Sequence, residues 1–435
     1  MSYVPNTDAD RAAMMEDIGI SSVDQLFEDI PAQFRKPPLN LPPALWEGGV
    51  RQALQKLADR NVNLTRYACF LGAGAYRHFI PAVVGFVISR SEFYTAYTPY
   101  QAEISQGVLQ SLFEYESMMA DLTGMDIVNA GMYDGASAMA EAALMAVRIT
   151  NRDKIAMDAG IHPAYLDVVR TYCQSQNVTI QLVSPPFDEL ESEYACLVVQ
   201  QPSYYGFLED MTLAERAAHN NGALLIVSVD PISLGMLKPP AAYNADIVVG
   251  EAQPLGIGIS FGGPYLGLFA CREKYLRQIP GRLIGQAFDT QGRRGAVMTL
   301  QTREQHVRRE RSTSNICTSE TLLAIAAAVY LAVVGKGGLR QVASLCYHKA
   351  HYAAARIAEL PGYSLPFDRP FFKEFVVRCP HPPAELNRRL RSAHIIGGLD
   401  IGQYAHDCML LCVTEMNSRE EIDHLIDQLA KWSTP

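Results

Sequence analysis

Lysine is scarce in this chain. Nine occur among 435 residues, and the formal net charge is −9. Nucleic-acid binders carry a concentrated basic face that neutralises phosphates, so this balance argues against DNA or RNA as the main partner. Cysteine is present but unpatterned: nine are scattered from Cys69 to Cys412, an odd number with no C-x-x-C. That argues against a disulfide framework or a zinc site and suits a reducing compartment, with most thiols serving as small buried hydrophobes. The N-terminal stretch "MSYVPNTDADRAAMMEDIG" is acidic and polar and lacks the apolar core of a secretory signal. No run approaches the roughly 20 apolar residues of a membrane span. Internal repeats and low-complexity tracts are missing as well. The expectation is a cytoplasmic protein with no metal and with neither nucleic-acid nor membrane partners.

What is present is apolar surface. Hydrophobic residues make up 49% of the chain and charged residues 19%, enough for one large domain and a smaller one. Residues 1–64 read as an arm. "TDADRAAMMEDIG" is a helix with Thr7 or Asp8 as N-cap and Gly19 at its end. "SSVDQLFEDIP" repeats the design and stops at Pro31, and "KPPLNLPP" is an extended link. Such an arm either wraps a neighbouring subunit or lids its own domain. Over 65–338 strands and helices alternate: the helix "GASAMAEAALMAVRIT", then the strands "DKIAMDA", "VTIQLVS", "ACLVVQQ", "ALLIVSVD", "ADIVVG" and "YLGLFACR" with helices between. Strands apolar throughout imply a mostly parallel sheet covered on both faces. "VVGKGGLR" marks a break. Residues 339–435 form a small α+β domain whose last helix carries Ser418 and Glu421 as a capping box.

A large α/β domain followed by a small α+β domain is the layout of aspartate-aminotransferase-like enzymes that use pyridoxal phosphate (PLP). Such a site needs a Schiff-base lysine, an acid for the pyridinium nitrogen, a flat group to stack on the ring, and a phosphate cradle at a helix start. Gly135, Ala136 and Ser137 offer the cradle, His162 the stacking group, and Asp230, at the end of an apolar strand, the acid. The lysine is missing. The loop "GEAQPLGIGISFGGPYLG" offers Glu251 and Gln253 but no lysine; Lys238 lies before its strand and Lys274 beyond the next. Nor is it a dinucleotide fingerprint, because Phe261 stands at the third glycine position and no helix follows.

"FLGAGAYRHFIPAVV", "FYTAYTPYQAEISQGVLQSLFEYESMMADLTGMDIVNAGMYDGASA", "FGGPYLGLFACREKYLRQIPGRLIG" and "RRGAVMTLQTREQHVRRERSTSNICT" resemble the P protein of the glycine cleavage system over nearly the whole chain. The resemblance implies a PLP-dependent transferase fold (fold type I) and the amino-terminal half of that enzyme, a separate subunit 1 where the enzyme is split. In the family the other half, subunit 2, carries PLP on a loop reading approximately H-K-T-F-S-x-P-H-G-G-G-G-P. Counting back from Pro264 by that spacing places Gln253 at the lysine. Gly135, Ser137, His162 and Asp230 would then be a vestigial cofactor pocket. The implied reaction is decarboxylation of glycine, with transfer of the aminomethyl group to the lipoyl arm of the H protein, in a heterodimer or a dimer of heterodimers. Tyr97, Tyr100 and Gln101, in a loop dense with aromatic and polar groups, are expected to form a rim for the partner's active site, with Arg77 and His78 as further rim residues. Two other readings remain open: a self-sufficient PLP enzyme of the aminotransferase class, and a non-catalytic regulatory subunit.

Overall fold

A computed structural model describes residues 5–188 and 190–433. The chain divides after Asn63 into two units. In the first, the helix Asp8–Ile18 is capped by Thr7, whose hydroxyl accepts the Asp10 N–H while the Asp10 carboxylate accepts the Thr7 N–H. Gly19 ends it in the left-handed region. The second expected helix is a short 3₁₀ segment, Val23–Phe27. Pro31 follows too soon for an α-helix to propagate beyond its costly first turn. A further helix, Glu47–Ala58, follows the proline-rich link.

The second unit opens with a two-residue strand, Ala68–Cys69 (β1). Seven strands then build the main sheet: Ile127–Val128 (β2), Lys154–Asp158 (β3), Thr179–Val183 (β4), Tyr194–Gln201 (β5), Leu224–Val229 (β6), Ile247–Glu251 (β7) and Gly267–Cys271 (β8). Their order is β2-β8-β7-β6-β5-β3-β4, and only β8 runs antiparallel to its neighbours. The period-two alternation of side chains feeds two cores. Leu197, Val199, Leu225 and Val227 join one with the helix Gln106–Thr123. Cys196, Val198, Leu224 and Ile226 join the other with the helix Gly135–Thr150. Both faces are covered, which is why these strands are apolar at consecutive positions. A hairpin, Leu283–Phe288 (β9) with Arg294–Thr299 (β10), follows the sheet.

The C-terminal part contains Glu374–Arg378 (β11), Ile395–Ile396 (β12), Leu399–Asp400 (β13) and Cys408–Cys412 (β14). β11, β14 and β13 form an antiparallel sheet under the helices Pro383–Ser392 and Arg419–Ala430. β1 pairs in parallel with β12 in a separate two-stranded sheet, so residues just past 65 pair with the C-terminal part rather than with the main sheet. The expected break at "VVGKGG" is real: the helix Thr321–Ala358 is interrupted at Gly335, with φ 57° and ψ −178°. Its first part lies in the large core and its last in the small one, so it ties the two together. By length and composition this helix could cross a membrane, contrary to the expectation that no segment would. Its Ala324–Ala328 segment is nonetheless buried in the core beside the sheet.

Candidate functional site

β6 ends in the sheet at Val229, and Asp230 follows at its carboxyl edge, where ligands of α/β folds collect. One Asp230 oxygen accepts the Ile232 N–H at 3.0 Å. The other faces the Lys373 ammonium at 2.7 Å. Lys373 directly precedes β11 and is 2% exposed. Its Nζ lies 3.4 Å from the centre of the Tyr76 ring, a close cation–π contact. It also lies 3.2 Å from His78 Nε2. An ammonium has only donors, so Nε2 accepts and Nδ1 carries the proton given to Glu415 at 2.7 Å. His78 is therefore neutral, its basicity lowered by burial and by the Lys373 charge. Burial alone would pull Lys373 down, but Asp230 outweighs it and raises the ammonium pKa. Burial likewise opposes ionisation of Glu415, yet the His78 and Phe79 hydrogen bonds win and hold its carboxyl at about 2.

The phosphate cradle is also filled. The helix Gly135–Thr150 begins with Asp134 as N-cap, its carboxylate accepting the Ser137 N–H at 2.7 Å. The Gly135 N–H donates to Glu251 Oε2 at 2.9 Å, while Glu251 Oε1 accepts from Gln253 N and Leu266 N. A carboxylate thus sits at the helix N-terminus where an anion is favoured. Burial lifts its carboxyl to about 7 against those three donors. A Cβ on Gly135 would stand 2.7 Å from the Tyr165 hydroxyl and 3.1 Å from Glu251 Cβ and N, so any other residue there would crowd Glu251. Gln253, at the expected lysine position, is 1% exposed. Its amide accepts the Tyr76 N–H at 2.9 Å and donates to the carbonyls of Tyr76 and Ile257. It brackets the 73–78 loop to the loop after β7, a bond set that a lysine, with no acceptor, cannot reproduce.

His162 caps the helix Pro163–Gln174 and stacks on Tyr165 at 4.9 Å rather than on an open ring site. Its Nδ1 accepts the Ala164 N–H, so Nε2 donates to the Ala73 carbonyl at 3.0 Å. The cavity between His162, Asp230, Glu251 and Lys373 measures about 40 Å³. That is room for a few waters, far below the roughly 300 Å³ of small ligand sites. PLP does not fit here: the cation that would meet Asp230 and the anion that would meet Gly135 are both side chains of this chain.

The structure thus places His162 and Asp230 on one cavity and ties Gly135 and Gln253 to Glu251, which lines it, while Ser137 serves the Asp134 N-cap. It does not gather the proposed rim. His78 is a buried member of the Lys373 network, not a surface residue, because its ring fills the space between that ammonium and Glu415. Arg77 is half-buried, its carbonyl bonded by Thr414. Tyr97 is 76% exposed. Tyr100 is half-exposed and accepts a hydrogen bond from Arg282, with Gln101 exposed beside it. Lys238 is exposed and Lys274 pairs with Asp246; neither lines the pocket. Lys373 and Glu374 escaped sequence reading. The signal was two charges, "KE", at the head of an otherwise apolar strand. Burial lifts the Glu374 carboxyl to about 7, while it accepts from the Ala73 N–H and the Tyr76 hydroxyl. Eight of the nine cysteines are buried, Cys317 being exposed. His78, Cys346 and Glu415 do bring three possible metal-ligand atoms within 4.8 Å of one another, where the sequence suggested no such group. Burial raises the Cys346 thiol pKa, and the Lys373 ammonium beside His78 opposes a second cation.

Comparisons with known proteins agree over the whole length. The family model described as glycine cleavage system P-protein matches residues 1–429. A protein of Desulforamulus reducens, described as a probable glycine dehydrogenase (decarboxylating) subunit 1, is 50% identical over 450 aligned residues, with 100% of each chain covered. A protein of Thermomicrobium roseum with the same description is 49% identical, with 99% of each covered. The solved structure of a glycine decarboxylase (P-protein) of the glycine cleavage system, in inhibitor-bound form, is similar with a TM-score of 0.92 and 40% identity, covering 99% of this chain and 100% of that one. A sphingosine-1-phosphate lyase of Burkholderia pseudomallei shares the fold alone, with a TM-score of 0.65 and 14% identity, covering 92% of this chain and 94% of that one. The fold is that of the PLP-dependent transferases of fold type I.

Proposed function

Because the chain belongs to the glycine cleavage system P-protein family, we propose that it is the lysine-less subunit of a two-chain glycine dehydrogenase (decarboxylating), completing an active site whose PLP the other subunit holds. The description "subunit 1" shared by full-length relatives implies that second chain. The observation that carries the assignment of PLP to the partner is the Lys373–Asp230 pair at 2.7 Å, together with Glu251 on the Gly135 N–H. Both poles of the cofactor pocket are neutralised from within.

In this reading the interior network is structural and the outer loop functional. Asp230, Lys373, His78 and Glu415 clamp the end of β6 to the small sheet, and Gln253 fixes the 73–78 loop. The clamp holds rigid the surface that meets the partner. Tyr97, Tyr100 and Gln101 stand outside it, with Arg282 anchoring Tyr100 from behind at 3.0 Å. They line the entry to the partner's site for glycine and for the lipoyl arm of the H protein, which takes the aminomethyl group. The assembly works in the cytoplasm, as a heterodimer or a dimer of heterodimers.

Glycine–carbon dioxide exchange tests the reading. The isolated chain should be inactive, and mixing it with the partner subunit in the presence of H protein should give exchange well above that of the partner alone. Exchange by this chain alone, or no gain over the partner alone, would overturn it.

A further inference from the structure

A second cavity lies beyond the main sheet's carboxyl edge and shares no lining residue with the cofactor pocket. It opens where β3 and β4 end, against residues 367–369 and 401–405 of the C-terminal part. The backbone of residues 203–207 separates the two, with Gly206 facing one and Tyr205 and Phe207 the other. Its volume, about 550 Å³, is within the range of small-molecule sites, and it sits where a large and a small sheet meet.

Its floor carries a polar group without a partner. Asp158 is the last residue of β3 and is 2% exposed. Oδ2 has no hydrogen-bond partner among the described residues. A buried carboxylate oxygen left without a donor is costly, and native structures supply one. Burial lifts this carboxyl to about 6, the Gly160 backbone and Arg369 opposing and Glu209 raising it further. Glu209 is itself buried and paired with Arg369. With Asp158 ionised, two carboxylates and one guanidinium leave the floor one negative charge in excess.

The walls are aromatic. Tyr205 meets Tyr404 edge-on at 6.4 Å, and Phe207 meets Phe367 edge-on at 5.4 Å. The Arg369 guanidinium already lies 4.8 Å over the Phe207 ring. Aromatic walls around a carboxylate floor recognise a cation with an apolar body.

We propose that this cleft is a binding site for a small organic monocation, an amine or amidine on a flat or apolar body, whose N–H groups meet Asp158 Oδ2. A phosphate ester or a free carboxylate would face Asp158 and Glu209 and is excluded. So is a neutral hydrocarbon, which would leave Asp158 unpaired.

The probe is benzamidine, titrated by calorimetry into the full chain complexed with its partner subunit. Saturable binding is expected, at least tenfold weaker in Asp158→Asn and in Tyr404→Ala, with no binding of benzoate, which has a similar shape and the opposite charge. Tyr404 is half-exposed, so its variant carries the test even if Asp158→Asn fails to fold. No saturable binding, equal affinity in the variants, or equal binding of benzoate would each overturn the proposal. Binding to the isolated chain that disappears in the complex would put a segment of the partner in the cleft, and would overturn it too.

Discussion

At Lys373 one ammonium meets Asp230, His78 and the face of Tyr76, so a single substitution removes three contacts. Lys373→Met leaves a nearly buried aspartate without its cation. Breaking such a pair from one side costs about 3–5 kcal/mol, whereas removing both charges costs far less. Urea unfolding should show that loss for Lys373→Met and substantial recovery in Lys373→Met with Asp230→Asn. Equal losses in the single and double variants would mean that the pair is not coupled as described. Glu374 gives a pH signature. Its folded pKa, about 7, lies above that of an unfolded glutamate, so the folded state holds the proton more tightly. Its contribution is full at low pH and is lost as pH rises from about 4.5 through 7. Glu374→Gln should flatten the fall in melting temperature between pH 5 and 7.5 relative to the unsubstituted chain; an unchanged slope would contradict that assignment. The acid at Asp230 was legible in the sequence because it ends an apolar strand, and the glutamine at position 253 because counting back from Pro264 in the resembled loop pattern reaches it. Lys373 was not, because its partner lies over a hundred residues away and nothing local announces the pairing.

Among the elements, the 203–207 turn approaches β11 closely. Gly206 has φ 85°, and a Cβ there would stand 2.0 Å from the Glu374 carbonyl oxygen. Gly206→Ala must move β11 or the turn, and a loss of at least about 1–3 kcal/mol is expected in calorimetric melting. The 95–101 loop is the opposite case, exposed and without a packing role at Tyr97. Tyr97→Ala with Gln101→Ala should lower exchange activity about tenfold or more while leaving melting temperature and partner binding unchanged. Undiminished exchange would remove these residues from the rim. The sheet strands were readable because burial on both faces makes consecutive positions apolar. The β9–β10 hairpin was not, since its residues mix buried, half-buried and exposed positions without a clean period-two pattern and its five-residue connection has no tight-turn dipeptide. The pairing of β1 with β12 was not legible either, because two residues carry no pattern.

Across the whole molecule, the sequence carries two messages of different kinds. Alternating apolar strands and helices report the fold, and a missing lysine supports the proposal that the partner's copy of the fold anchors the cofactor. The structure adds a second reason for that proposal. Glu251 takes the anion position and Lys373 the cation position, leaving about 40 Å³ between them. Restoring a lysine alone therefore does not restore a site, and Gln253→Lys should remain colourless with added PLP while losing the bracket to Tyr76. The most direct test treats the assembled two-subunit enzyme with borohydride and maps pyridoxyl-lysine by mass spectrometry. Label confined to the partner subunit is the predicted result. Stoichiometric label on any lysine of this chain would contradict the account, because it would require PLP in a pocket that Lys373 and Glu251 already fill.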